Sequence, residues 1–377
     1  MGNKNIILII FSILFAIILN AQNNTHLTPT IDGKVIDFSN YEGNSSFKEG
    51  ISRTCTWNKY FWADINSTIS RGEIALATNY AKEYDWANKG TKNRLYVFSN
   101  LGVDFPVWAG NFNSGRNGFS VTVPFLIDVW LDMFERTTAP IINTQYRFGL
   151  PEFGFIHRFE NKKLLGIRNY SLRLSPMKHE CTHIGDELAL KRIQDGLSII
   201  RVNVSYNFYE LMFTLNDHDG TNNSNLSARF GALMIQKFTK GWYNILSTPN
   251  GDIKLLNSKE SPFEFYFQLE YQTNTSKNSN LQGVFSFECR SRVNYLFNDY
   301  IKKMEYYEPI REDGIFNFNE MNWFNLNFFA GFRYNNPRLM KLHRLGFGLR
   351  YYHGIIPYGQ FRNLMDFNQL GFSILFE

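Results

Sequence analysis

From Arg71 to the last residue the chain alternates. In 324–335, Phe324, Leu326, Phe328, Phe332 and Tyr334 share one side, and Asn325, Asn327, Arg333 and Asn335 the other. In 342–353, Leu345, Phe347, Leu349 and Tyr351 oppose Arg344, Gly346, Gly348 and Arg350; in 283–297, Phe285, Phe287, Val293 and Tyr295 oppose Ser286, Glu288, Arg290 and Arg292. A period of two is that of a β-strand with one apolar face. The same reading gives strands at 71–80, 94–109, 118–133, 141–160, 164–181, 196–216, 226–238, 263–273, 283–297, 324–335, 342–353 and 368–377. That makes about twelve, an even number, with the longer and shorter connections alternating. Both features predict an all-β fold: a transmembrane antiparallel β-barrel, one face of each strand in hydrocarbon and the other in the lumen.

Composition agrees. Aromatic residues make up 17% of the chain and charged ones 19%, while the mean hydropathy of −0.29 is too polar for a bundle of membrane helices. A soluble β-sandwich is the competing class. Residues 1–21 read as an export signal: Lys4, an apolar run from Ile6 to Leu19, and a small residue at Ala21. Residues 22–69 lack sustained alternation and read as a periplasmic extension or an inward-tucked plug; 70–377 read as the barrel. Both termini are then periplasmic. The last strand places Leu370, Phe372, Ile374 and Phe376 on one face, an ending that resembles the signal for the barrel-assembly machinery, although Glu377 follows. A net charge of +5 is too mild to argue for nucleic acid. Three cysteines, Cys55, Cys181 and Cys289, allow one disulfide at most.

Parity sends Arg147, Arg173, Arg201, Glu264, Glu270, Glu288, Arg290, Arg292, Arg333, Arg344 and Arg350 into the lumen. A barrel of twelve strands is narrow, so such charges must pair or be hydrated. Two readings fit: an Arg–Glu network that braces the wall, or an Arg-lined path for anionic solutes, as in a narrow pore.

The densest chemistry is His179-Glu180-Cys181-Thr182-His183-Ile184-Gly185-Asp186-Glu187. Pro176, just before it, suits a strand end or a bulge, so the strand is expected to leave hydrocarbon there, at the outer mouth. If extension continues, His179, Cys181 and His183 share one side, and parity makes that side the lumen, unless Pro176 bulges and flips the face. Three chemistries fit. His-x-Cys resembles the His-x-Ser spacing of outer-membrane phospholipase A and lipid A deacylases, where the His activates a hydroxyl nucleophile and a polar or acidic residue orients the His. That candidate set is His179, Cys181, His183, Asp186 and Glu187. His179, His183, Asp186 and Glu187, with Cys181, are also candidate ligands for a divalent metal, at a spacing that matches no specific site. The third reading, the one the sequence favours, is a polar rim network that does no chemistry; the function expected is then a narrow pore or a structural or binding barrel without catalysis, with the lipid hydrolase and the metal-binding barrel as alternatives. No cofactor is expected beyond that metal.

Several segments together resemble a widespread family of Gram-negative outer-membrane proteins without an assigned function, whose members carry a His-x-Ser-Ser-His-Leu-Gly-Asp-Glu stretch. Here Cys181 and Thr182 replace the two serines. Ile142–Pro151, Tyr352–Phe361 and Phe61-Trp62-Ala63-Asp64 are similar to three further segments of that family. The resemblance implies an outer-membrane barrel, of about the size of the phospholipase A barrel. It implies no substrate, cofactor or catalytic residue.

Overall fold

The computed structural model describes residues 30–31, 34–35, 61–64, 66–78, 93–112, 116–133, 141–159, 167–184, 201–217, 226–235, 243–248, 251–255, 263–274, 281–292, 322–334, 345–357 and 367–376. Every regular element among them is a strand. β1 (Thr30–Ile31) and β2 (Lys34–Val35) pair only with each other. The rest form one sheet: β3 (Ser70–Thr78), β4 (Asn93–Phe112), β5 (Asn117–Leu131), β6 (Ile141–Gly149), β7 (Glu152–Arg158), β8 (Asn169–Ile184), β9 (Arg201–Leu215), β10 (Leu226–Ile235), β11 (Tyr243–Thr248), β12 (Gly251–Leu255), β13 (Phe263–Asn274), β14 (Leu281–Arg292), β15 (Asn322–Tyr334), β16 (Leu345–Gly354) and β17 (Phe367–Phe376).

All pairings are antiparallel; most join chain neighbours, β5 also pairs with β7, β6 with β8, β9 with β11 and β10 with β13, and β17 returns to β3, Phe376 opposite Ser70. The sheet therefore closes. β6 and β7 lie end to end between β5 and β8 and form one stave, so the barrel has twelve staves, with β11 and β12 outside the count. Closure leaves no unpaired backbone edge, the condition for crossing a membrane with strands.

The two faces differ as the alternation predicts. Leu349 is 59% exposed and its neighbour Arg350 0%. Leu76, Phe105, Leu174, Phe230, Phe285 and Leu370 all stand out from the wall. So much exposed apolar surface would not be stable in water, and it matches the hydrocarbon band of a membrane barrel. The inside is filled by ion pairs: Arg350–Glu73 at 2.9 Å, Arg290–Glu288 at 3.0 Å and Arg173–Glu152 at 2.7 Å. Phe61–Asp64 lies among these groups. The Trp62 amide donates to Glu270 Oε2 at 2.9 Å and the Ala63 amide to Ser286 Oγ at 3.1 Å; the Arg333 guanidinium covers the Trp62 ring at 4.5 Å and that of Arg229 the Phe61 ring at 4.6 Å. Among the described residues, the lumenal cavity between Asp64, Arg147, Glu210 and Arg290 measures about 40 Å³, room for very few waters.

Three sequence expectations change. The predicted strand 141–160 is broken by Gly149-Leu150-Pro151 into β6 and β7. The expected connection after 238 contains the β11–β12 hairpin, whose first strand pairs with Arg201–Ser205 and carries β9 beyond the barrel wall. Its two runs are too short for alternation to announce them. Finally, the predicted strand 164–181 runs on as β8 to Ile184, with Pro176 in a bulge rather than at a strand end.

Candidate functional site

The continuation of β8 depends on a bulge. Ser175 pairs with Glu210 and Lys178 with Phe208, so three steps on β8 face two on β9. The opposite stave matches it. Gly149 pairs with Lys178 and Phe153 with Leu174, four steps against four, while Phe148–Glu152 spans four steps against the three of β5 from Phe125 to Thr122. The Leu150 amide donates to the Met177 carbonyl at 2.9 Å. One extra residue thus runs through both staves, at Leu150-Pro151 and Pro176-Met177. Proline cannot donate to a ladder, so a bulge is where both belong.

An odd insertion reverses every later side chain. Before the bulge Asn169, Ser171, Arg173 and Ser175 point inward; after it Lys178, Glu180 and Thr182 do, with Glu180 0% exposed. His179, Cys181 and His183 therefore face outward. This corrects the expectation that parity turns them to the lumen: parity holds only along an unbroken ladder.

The outward row has partners on both sides. His179 Nδ1 lies 2.7 Å from Asn207 Oδ1, directly across on β9. With the amide so placed, the oxygen accepts from Nδ1–H, which leaves Nε2 as the basic nitrogen. The His179 ring leans on Phe148 of β6 at 5.2 Å, and the His183 ring meets Tyr146 at 5.9 Å. Cys181 stands between the two histidines on the same face, half-buried and in no disulfide. Tyr146 and Ser205 pair with it on either side. Behind the row, Glu180 takes Arg147, whose guanidinium also lies 5.7 Å from the Phe208 ring and reaches the Asn66 carbonyl at 3.5 Å.

Two other outward histidines make the same amide contact: His157 with Asn117 at 2.6 Å and His353 with Asn368 at 2.9 Å. Two places away they have Phe155 and Phe159, and Tyr351 and Ile355. A His–Asn pair is thus a repeated feature of this wall. What singles out His179 is the thiol at i+2.

Of the candidate nucleophile set, the structure places His179, Cys181 and His183 on one outward face of β8, two residues apart; Asp186 and Glu187 lie outside the described residues. So do the last two ligands of the metal set, and among the described residues no three His, Cys, Asp or Glu side chains converge. Of the lumenal set, Arg147, Arg173, Glu264, Glu270, Glu288, Arg290, Arg292, Arg333 and Arg350 are buried inside. Arg344 and the Arg201 side chain lie outside the described residues, as does Cys55. Asn207 was not foreseen. Its signal was a lone amide on a face otherwise formed by Tyr209, Leu211, Phe213 and Leu215. The reversal also had a signal: beyond Pro176 the charged set, Lys178 and Glu180, falls on the even positions.

A closed twelve-stave wall, apolar outside and charged inside, is the architecture of outer-membrane proteins. The chain is an outer-membrane-type β-barrel. No protein-family model and no curated protein matches it. Several solved structures of outer-membrane proteins are distantly similar to it. Outer membrane phospholipase A from Escherichia coli is 11% identical, with 82% of this chain and 90% of that one covered and a TM-score of 0.42. The phospholipase dimer of Salmonella typhi with bound calcium gives 11%, 82%, 90% and 0.43. The translocator domain of autotransporter NalP from Neisseria meningitidis gives 9%, 82%, 88% and 0.37. At this similarity they carry no argument, and both the fold and the chemistry are argued from this chain's own residues.

Proposed function

We propose that the barrel is a lipid-directed acyl hydrolase of the bacterial outer membrane, with Cys181 as nucleophile, His179 as its base and Asn207 holding the imidazole. The carrying observation is the 2.7 Å contact between His179 Nδ1 and Asn207 Oδ1 on the outward face that Cys181 shares. Nε2 takes the thiol proton as Sγ adds to an acyl ester carbonyl, and returns it to the departing alcohol as the ester C–O bond breaks. The resulting thioester is cleaved by water, deprotonated by the same nitrogen, which releases fatty acid and restores the thiol.

Depth supports a lipid substrate. Along β8 the outward side chains run from Tyr170, packed on His157 at 5.3 Å, through Leu172 and Leu174 to His179. At about 3.3 Å per residue and a tilt of about 40°, that stretch spans roughly 23 Å of membrane, close to the ~25 Å apolar band of such barrels. His179 and Cys181 then stand at its margin, where acyl esters meet headgroups. With both termini in the periplasm, that margin is the outer leaflet. The nine-residue stretch from His179 to Glu187 supports membership of the Gram-negative family it resembles. Outer-membrane lipid is the partner this activity requires, and the barrel-assembly machinery the one that insertion requires.

The test is fatty-acid release by purified protein from mixed micelles of detergent with phospholipid or with lipid A. Release from either class is expected, abolished by Cys181→Ala and by thiol alkylation. Undiminished release by Cys181→Ala, or no release by wild type from either class, would overturn the assignment. The alternative is a narrow pore, or a structural or binding barrel with an Arg-rich lumen; steady conductance steps in planar bilayers would favour the pore.

A further inference from the structure

The outward position of His179 and Cys181 exists only while the bulge exists, and one lumenal carboxylate holds both flanks of it. Glu152 Oε2 accepts from Arg173 Nη2 at 2.7 Å and Oε1 from Ser175 Oγ at 2.6 Å, both before Pro176. Oε1 also takes Lys178 Nζ at 2.5 Å, past Met177. Lys178 continues to Glu210 Oε2 at 2.7 Å, on the residue opposite Ser175, and Glu210 accepts from Tyr266 OH at 2.8 Å. Glu152 is 2% exposed and is the first residue of β7, directly after the matching break in the neighbouring stave.

These three donors share a face in one register only. If Pro176 and Met177 entered a regular ladder, Arg173 and Ser175 would stay inside while Lys178 and Glu180 turned to the lipid. His179, Cys181 and His183 would turn into the lumen. Glu152 could not then reach Lys178 across the wall. We infer that Glu152 is a positioning residue: by joining Arg173 and Ser175 to Lys178 it fixes the one-residue offset, and so decides which side of the barrel carries the thiol. Its consequence for catalysis rests on the hydrolase reading; its effect on the facing of Cys181 does not.

The facing can be read without activity. In a Cys55→Ser, Cys289→Ser background, a small fluorophore is attached to Cys181 in the unfolded chain. The protein is then refolded into vesicles of phospholipid brominated along the acyl chains. In the parent, quenching by bromine is expected to be strong. In Glu152→Ala and in Lys178→Met it is expected to fall to roughly a tenth, because removing one member of a buried ion pair strongly disfavours the arrangement that buried it. In a second background, Cys55→Ser with Cys181→Ser, the same fluorophore on Cys289, outward on β14 and four staves from β8, is expected to stay quenched in both variants, which reports a folded barrel. If either variant fails that control, Glu152→Gln replaces it, keeping the shape and removing the charge, with a loss in the same direction. Equal quenching at Cys181 in the parent and in the folded variants would overturn the proposal and leave the hydrolase reading untouched. A lost signal from a protein whose wild type releases no fatty acid would retain Glu152 and remove the hydrolase.

Discussion

At the scale of the residue, the proposed hydrolase divides one task among three side chains, none of which performs it alone. A thiol in a membrane wall is a small hydrophobe, and its reactivity depends on a base beside it. An imidazole serves as that base only in the right tautomer, which the group on its other nitrogen selects. Asn207 therefore acts through His179. Asn207→Ala is expected to lower kcat for fatty-acid release by about tenfold or more, within the usual range for positioned acid–base catalysis, and to leave KM near its starting value. His157→Ala, which removes the equivalent pair at the other end of the barrel, is expected to leave both constants unchanged. Equal losses in the two variants would mean that the His–Asn contact only stabilises the wall.

At the scale of the element, the short segment around Trp62 depends on what the strands omit. A Cβ on Gly346 would lie 2.3 Å from Trp62 Cη2, so β16 gives up a side chain where the indole packs between Phe329 and the Arg333 guanidinium. Gly346→Val forces one of them to move, an overpacking cost of about 1–3 kcal/mol. Because Phe61–Asp64 is held by a few hydrogen bonds and the wall by continuous ladders, the segment is expected to yield. Tryptophan emission should shift to the red and cleavage near residue 62 should become faster, with the barrel still folded; unchanged emission and cleavage would show that the strand yields instead. The β6–β7 stave and β8 show the converse: two prolines break two ladders at one level, and the strands continue because they break together. From sequence, only Pro176 read as a strand end or bulge, and 141–160 read as one strand straight through Pro151. Only their pairing across the sheet makes them one feature.

At the scale of the whole molecule, the filled interior decides what kind of barrel this is. The lumenal pairs of Arg350 with Glu73, Arg290 with Glu288 and Arg173 with Glu152, together with Phe61–Asp64, occupy the described lumen, and the cavity between Asp64, Arg147, Glu210 and Arg290 measures about 40 Å³. Wild-type protein in planar bilayers is therefore expected to show no discrete conductance steps. Steady anion-selective steps from a homogeneous folded sample would instead favour the Arg-lined pore. The architecture itself was legible in the chain, because a period-two pattern with an apolar face repeated twelve times has one compact solution in a bilayer, a closed wall. Among the described residues, Arg147, Arg173, Arg290, Arg292, Arg333 and Arg350 lie on the buried face that the same parity gives. The direction of His179 and Cys181 was not legible, and neither was Asn207 as a partner. Parity is a local rule that a single inserted residue reverses, and the cost of that insertion is set by Glu152, Glu210 and Lys178, which meet only across three strands. Sequence alone determined that the strands have two faces; the tertiary register determined which face carries the thiol.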